Sequence, residues 1–254
     1  MIKPIIIGNW KLNGSKKFIK NILKPLNQFL IKYYKVCTIV IAPPILYTNF
    51  IQNILSSDQA NFFLGAQNVD THFSGPFTGE ISPIMLKDLE IHYVIIGHSE
   101  RRVNHYEDNH IIAKKFHMLK QEKIIPVLCI GETSQEHKEK KTKEVCKKQI
   151  DVIFDLCGEN AFNNTIVAYE PIWAIGSGQS ASPKEVQIIS HFIRNYIKSK
   201  SNNQIKNFFI QYGGSVTKNN AQELICQNDI DGFLIGGASL CLEEFTKIIK
   251  IINK

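Results

Sequence analysis

The stretch that concentrates the most chemistry is Tyr169-Glu-Pro-Ile-Trp-Ala-Ile-Gly-Ser-Gly, residues 169–178. A short apolar run, Ile166-Val-Ala, precedes it and reads as a strand that delivers the carboxylate of Glu170 straight into a loop. Pro171 cannot continue a sheet ladder, and Gly176 and Gly178 give the loop wide backbone freedom. A carboxylate at the root of such a loop can be a base beneath a lid. It can equally be a capping Glu ahead of an ordinary connection, and these residues alone leave both open.

Other reactive types recur just after apolar runs. Asn9 and Lys11 follow Ile5–Gly8, with Lys11 flanked by Trp10 and Leu12, a setting ill-suited to a merely solvated lysine and better suited to an anion. His98 follows a run ending at Ile96 and opens a Ser/Glu-containing turn of helix, whereas the other histidines lack such a setting. The positive end of a helix dipole disfavours imidazolium, so His98 reads as a neutral ring able to donate a hydrogen bond to a carbonyl oxygen. Tyr212-Gly-Gly-Ser215 and Ile235-Gly-Gly-Ala-Ser239 place paired glycines after two consecutive runs, the arrangement by which backbone N–H groups cradle phosphate. Cys129 has no histidine within its motif and sits in an apolar run, which favours a packed thiol over a nucleophile.

The elements that must position these residues alternate along the whole chain. Short β-rich runs are predicted at Ile5–Gly8, Thr38–Ala42, Phe62–Ala66, His92–Ile96, Ile125–Ile130, Ile166–Tyr169, Phe208–Tyr212 and Gly232–Ile235. Helical patterns are predicted at Lys16–Lys32, Tyr47–Ser56, Pro83–Leu89, Ile111–Glu122, Thr142–Cys157, Lys184–Ser199, Asn219–Cys226 and Leu242–Ile252. No Pro/Gly/Ser-rich linker divides them. Alternating βα units without a second composition class predict an α/β fold, a closed eight-stranded parallel (β/α)8 barrel forming one domain over residues 1–254. An open doubly wound sheet would ordinarily carry a glycine-rich phosphate turn after its first strand, where this chain has Asn9-Trp-Lys-Leu. In a closed barrel every residue singled out above lies on one face, because the loops after the strands share it.

Composition narrows the function. A 254-residue chain with 44% hydrophobic and 21% charged residues has the make-up of a soluble globular protein, and no apolar run approaches the roughly 18 residues of a membrane span. The net charge of +7 comes from lysines scattered along the chain without an arginine-aromatic cluster, so anionic small molecules fit it better than nucleic acid. Six dispersed cysteines without Cys-x-x-Cys spacing read as reduced thiols of a cytoplasmic protein. The strand ends hold no cluster of carboxylates or histidines for zinc or magnesium, and strands four to seven hold no lysine for a Schiff base. The expectation is chemistry without metal or cofactor.

Taken together, Gly8-Asn-Trp-Lys, Gly97-His-Ser-Glu-Arg-Arg, Leu128-Cys-Ile-Gly-Glu, Ala168-Tyr-Glu-Pro-Ile-Trp-Ala-Ile-Gly-Ser-Gly, Tyr212-Gly-Gly-Ser-Val and Gly236-Gly-Ala-Ser-Leu resemble, in order and spacing, the triosephosphate isomerase family. The likeness runs from about residue 5 to about 245, with Gly65-Ala-Gln-Asn and Gly75-Pro-Phe-Thr-Gly-Glu in the third loop. It implies a TIM barrel that interconverts dihydroxyacetone phosphate and D-glyceraldehyde 3-phosphate in glycolysis and gluconeogenesis. That family is itself a standard illustration of barrel architecture and of pKa tuning, so the general mechanism is the family's own. The resemblance gives Glu170 the role of base, His98 that of electrophile, Lys11 and Asn9 that of stabilising substrate oxygens, and Glu100 that of support for Lys11. Gly176, Ser215, Gly236 and Gly237 match the positions that grip phosphate. A barrel that binds sugar phosphates without chemistry would be expected to lack Lys11, His98 or Glu170, and all three are present.

The third loop, about residues 68–80, is long and carries Phe77 and Thr78. In the family this loop docks on a second subunit, which implies a homodimer. Three positions depart from the usual pattern: Pro76 in that loop, Glu90 where glycine is common before strand four, and Gln179 where lysine is frequent at the lid's C-terminal end. They bear on lid rate and local stability rather than on the reaction.

Overall fold

Strands that are covered on both faces need continuous apolar runs, because helices pack on one side and the barrel interior on the other. A computed structural model describes residues 3–33, 36–55, 61–174 and 180–252. Within them β1 (Ile5–Asn9), β2 (Thr38–Ala42), β3 (Phe63–Ala66), β4 (Tyr93–Ile96), β5 (Ile125–Ile130), β6 (Thr165–Tyr169), β7 (Phe208–Tyr212) and β8 (Gly232–Ile235) pair in parallel in chain order. β8 returns to β1, with Ile5 facing both Thr38 and Gly232, and the closed barrel expected from the sequence results.

Alternate residues of each strand go to different cores. Ile5, Ile7, Val40, Ala42, Ile95, Val127, Cys129, Ile166, Ala168 and Leu234 fill the interior. Ile6, Ile39, Ile41, Val94, Ile96, Leu128, Val167, Phe233 and Ile235 join the helices in a larger outer core. Closure leaves no room at one point: Gly232 has φ +154°, and a Cβ there would stand 1.8 Å from the carbonyl oxygen of Ile5. Glycine is therefore required where the last strand meets the first.

The outer layer consists of α1 (Lys16–Leu30), α2 (Thr48–Leu55), α3 (Pro83–Asp88), α4 (Ser99–Asn104), α5 (Asn109–Gln121), α6 (Ser134–Lys138), α7 (Thr142–Cys157), α8 (Pro183–Lys200), α9 (Ala221–Ile225) and α10 (Leu242–Ile252). Caps set the boundaries that hydrophobic periodicity misplaces. The Asp108 side chain accepts the Ile111 N–H, so α5 begins at Asn109, two residues ahead of its apolar pattern. The weak helical pattern after β2 resolves into a 3-10 turn, Ile45–Tyr47, and then α2. β3 and β4 start one residue later than expected, at the first paired positions, Phe63 opposite Val40 and Tyr93 opposite Gly65.

At the N-terminal end of the barrel a charged cluster ties α8 to the approach of β8. Arg194 Nε donates to Asp229 Oδ1 (2.7 Å) and its Nη2 to Asp231 Oδ2 (2.6 Å). Gln187 and His191 bond the other oxygen of Asp229, and Asp231 Oδ2 also accepts the Ile210 N–H at 2.7 Å. Burial alone would raise the Asp229 carboxyl, but the bonds from His191 and Gln187 and the Arg194 charge outweigh it and hold the group below the ordinary aspartate range.

Candidate active site

The loops after the strands enclose a cavity of about 290 Å³ lined by Asn9, Lys11, His98, Glu170, Ser215, Gly236 and Gly237. Each expected site residue is there except Gly176, which with Gln179 lies outside the described residues.

Glu170 is placed by its backbone. β6 ends at Tyr169, yet the ladder to β5 runs on, with Glu170 N–H donating to Ile130 O at 2.7 Å and Ile172 N–H to Glu132 O at 3.0 Å. Two glycines flank the residue: a Cβ on Gly131 would stand 2.0 Å from Glu170 O, and one on Gly213 2.6 Å from Glu170 Cγ. The residue is 2% exposed, and its Oε2 has no hydrogen-bond partner among the described residues. A buried carboxylate oxygen left unbonded is costly unless a ligand uses it.

His98 lies beside it, with Nε2 3.4 Å from Glu170 Oε1. At the start of α4, His98 Nδ1 accepts the Glu100 backbone N–H at 3.2 Å, which leaves the ring proton on Nε2, facing the cavity and Glu170. Arg102 fixes the turn that presents the ring, donating from Nε to Gly97 O at 2.7 Å.

Lys11 has a left-handed backbone, φ +51°, costly for a residue with a side chain and often found at working sites. Two contacts hold it: its N–H donates to Asn9 Oδ1 at 3.0 Å, and its carbonyl accepts from Gln67 Nε2 at 3.0 Å. Its ammonium reaches Glu100 Oε1 at 2.6 Å, the supporting contact expected of Glu100. Gly236 leaves room for the lysine stem, since a Cβ there would come within 3.3 Å of Lys11 Cε.

The residues on either side of positions 175–179 are anchored. On the near side Pro171 leads into a 3-10 turn, Ile172–Ala174, and Trp173 Nε1 donates to the buried Glu132 Oε1 at 2.9 Å. The Tyr169 hydroxyl donates to both oxygens of that carboxylate. On the far side Ala181 N–H donates to the Tyr212 hydroxyl at 3.3 Å, and a Ser182–Glu185 capping box with Pro183 starts α8. Inside the barrel, burial and the neighbouring Glu170 carboxylate push the Cys129 thiol well above its ordinary value, so it packs as a neutral side chain.

Gln67, Arg102, Glu132 and Gln149 support the site, and the sequence alone does not mark them as doing so. Gln67, Arg102 and Glu132 do stand inside the quoted motifs, but nothing in a motif says which group a side chain will hold. Among the described residues no group of three or more His, Cys, Asp or Glu could hold a metal ion.

A parallel barrel with a carboxylate, an imidazole and a lysine converging on one small cavity at its C-terminal mouth defines the class, an acid–base barrel enzyme. The triosephosphate isomerase family model matches residues 4–252, and the chain belongs to that family. It is 75% identical over 253 residues, the whole of both chains, to a triosephosphate isomerase of Buchnera aphidicola subsp. Cinara cedri. It is 52% identical to that of Blochmanniella floridana, over 98% of this chain and 94% of the relative, and 49% identical to that of Histophilus somni, over 99% and 98%.

Proposed function

We propose that this chain interconverts dihydroxyacetone phosphate and D-glyceraldehyde 3-phosphate through an enediolate, as one barrel domain without metal or cofactor. The observation that carries the site assignment is the buried pair of Glu170 and His98, 3.4 Å apart and sharing a cavity with Lys11.

Glu170 removes a proton from the carbon next to the carbonyl and returns it to the neighbouring carbon. His98 donates from Nε2 to the carbonyl oxygen and carries protons between the two enediolate oxygens. The Lys11 ammonium exchanges part of its contact with Glu100 for the developing negative charge. Asn9, its oxygen occupied by the Lys11 N–H, has its amide nitrogen to offer. A carbon acid is weak, so stabilising the oxyanion lowers the barrier most, and one lost donor typically costs about 10² to 10³ in rate. Ser215, Gly236 and Gly237 hold the phosphate together with Gly176 of the lid. Binding energy far from the reacting carbons then keeps the site closed while the intermediate exists.

The test is direct assay of D-glyceraldehyde 3-phosphate isomerisation by the pure protein and by Lys11→Met. The parent is expected to turn over, and the variant to lose about 10² or more in kcat. An inactive parent would leave the site as a sugar-phosphate-binding one.

The assembly that goes with this function is a homodimer through the loop at about residues 68–80, with Phe77 and Thr78 at the contact. In its support, Leu12 is 97% and Leu46 86% exposed, and Phe77, Met85, Val103 and Tyr106 are exposed as well. An apolar surface of this kind is a liability on a monomer. Sedimentation should give a dimer, and a fully active monomer would overturn it. We also place the protein in the cytoplasm, in glycolysis and gluconeogenesis; no helix among the described residues is long and apolar enough to cross a membrane.

A further inference from the structure

β5 outruns its neighbour. β4 ends at Ile96, opposite Leu128, and turns away at Gly97, φ +67°. The odd-numbered peptide groups of β5 face that side, as the bond from Ile125 N–H to His92 O shows. Beyond Leu128 the Cys129 carbonyl and the Gly131 backbone groups have no strand to pair with, yet both residues are buried, and an unpaired buried backbone group is costly.

Side chains from two helices take the place of the missing strand. Arg102 of α4 donates from Nη2 to Cys129 O at 3.1 Å. Gln149 of α7 closes a two-point amide clamp on the next group: its Oε1 accepts the Gly131 N–H at 2.9 Å, and its Nε2 donates to Gly131 O at 3.1 Å. Gln149 is itself buried, beside Cys146 and Ile150 on the inner face of α7.

The clamp matters because of what Gly131 touches. Its α-carbon lies so close to the Glu170 peptide that a Cβ would come 2.0 Å from Glu170 O and 2.6 Å from Glu170 C. Apart from the contacts with His98 and the Cys129 thiol, little among the described residues holds the carboxylate: Oε2 has no partner among them, and the residue's place comes from Gly131, Gly213 and the bond to Ile130. Any shift of Gly131 is therefore transmitted to the Glu170 side chain above it.

We infer that Gln149 is a positioning residue for the reaction, acting as a surrogate strand that fixes Gly131 and, through it, the base Glu170. This rests on Glu170 being the base. It predicts a defect in the transition state and not in the grip on phosphate, which lies across the cavity on β7 and β8. Gln149→Met keeps the shape and removes both hydrogen bonds. Since a misplacement of about 1 Å can cost about 10² in rate, its kcat is expected to fall about 10- to 100-fold. KM and the inhibition constant for inorganic phosphate should each stay within about twofold.

Gln149→Glu keeps the acceptor for Gly131 N–H but, when ionised, not the donor to Gly131 O. Its kcat should rise as pH is lowered through the titration of the new carboxyl, a limb the parent lacks. Ile153→Ala, on the same buried face of α7 and without contact to Gly131, controls for lost stability and should keep parental kcat. Parental kcat in Gln149→Met would overturn the inference, as would losses in phosphate affinity that match those in kcat, or an equal kcat loss in Ile153→Ala. If Gln149→Met does not fold, a Gln149→Glu profile parallel to the parent's would overturn it alone. An inactive parent protein would remove the functional reading beneath it, whereas defects confined to the variants leave that reading standing.

Discussion

The Arg194 cluster at one end of the barrel and Glu170 at the other handle buried charge in opposite ways. At the N-terminal end each carboxylate oxygen of Asp229 and the Asp231 Oδ2 meet a donor, in a cluster centred on Arg194. At the C-terminal end Glu170 Oε2 is buried without a partner among the described residues, and Lys11 sits in a left-handed backbone. Charges at the first end are satisfied by the protein alone. Glu170 Oε2 is held ready for a partner that the described residues do not supply, which is how a stabilising cluster differs from a working site.

The largest effect bearing on this contrast is on rate. Glu170→Asp shortens the base by one methylene, and kcat is expected to fall about 10² to 10³ with KM little changed, because the gap to carbon matters most in the transition state. Steady-state kinetics in both directions decides it, and unaltered kcat would remove Glu170 from its role. Gly213→Ala approaches the same carboxylate from the other side. Its Cβ would stand 2.6 Å from Glu170 Cγ, so a loss of up to about 10² in kcat is expected on kinetic assay of a protein that still melts cooperatively.

Arg194→Met should do the reverse. Breaking a largely buried pair costs about 3 kcal/mol, measured by denaturant unfolding, while kcat per folded molecule should be unchanged. A large kcat loss there would erase the division between the two ends. The smallest effect is expected at Glu90, whose φ of +55° is a conformation that favours glycine. Glu90→Gly should raise stability by about 0.5–1 kcal/mol, seen as a higher melting temperature, with activity untouched.

That last position also shows what can be learned from sequence. Glu90 stands out as a departure from the usual glycine, and the backbone explains why glycine is usual there. The strands are legible because burial on both faces forces continuous apolar runs, and the site residues because they follow those runs directly. Of the short helices, α4 is legible only as the helical turn that His98 opens, and α6 is not, being too brief for periodicity and set by its cap, Thr133. The supporting roles of Gln149 and Arg102 are invisible for another reason. Each bonds a backbone group distant along the chain, Gly131 and Cys129, and no local pattern records which groups a strand leaves unpaired when its neighbour ends early.

The closure at Gly232 has a consequence for how the chain is made. β1 cannot obtain its second neighbour until β8 exists, and at a synthesis rate of roughly 5–20 residues per second the intervening chain takes tens of seconds to emerge. Throughout that time Ile5, Ile6 and Ile7 form an unshielded sticky edge on a growing polypeptide. The residue that completes the molecule is one with no side chain at all, and any replacement at Gly232 should act first on the yield of soluble protein from the ribosome, before activity can be asked about.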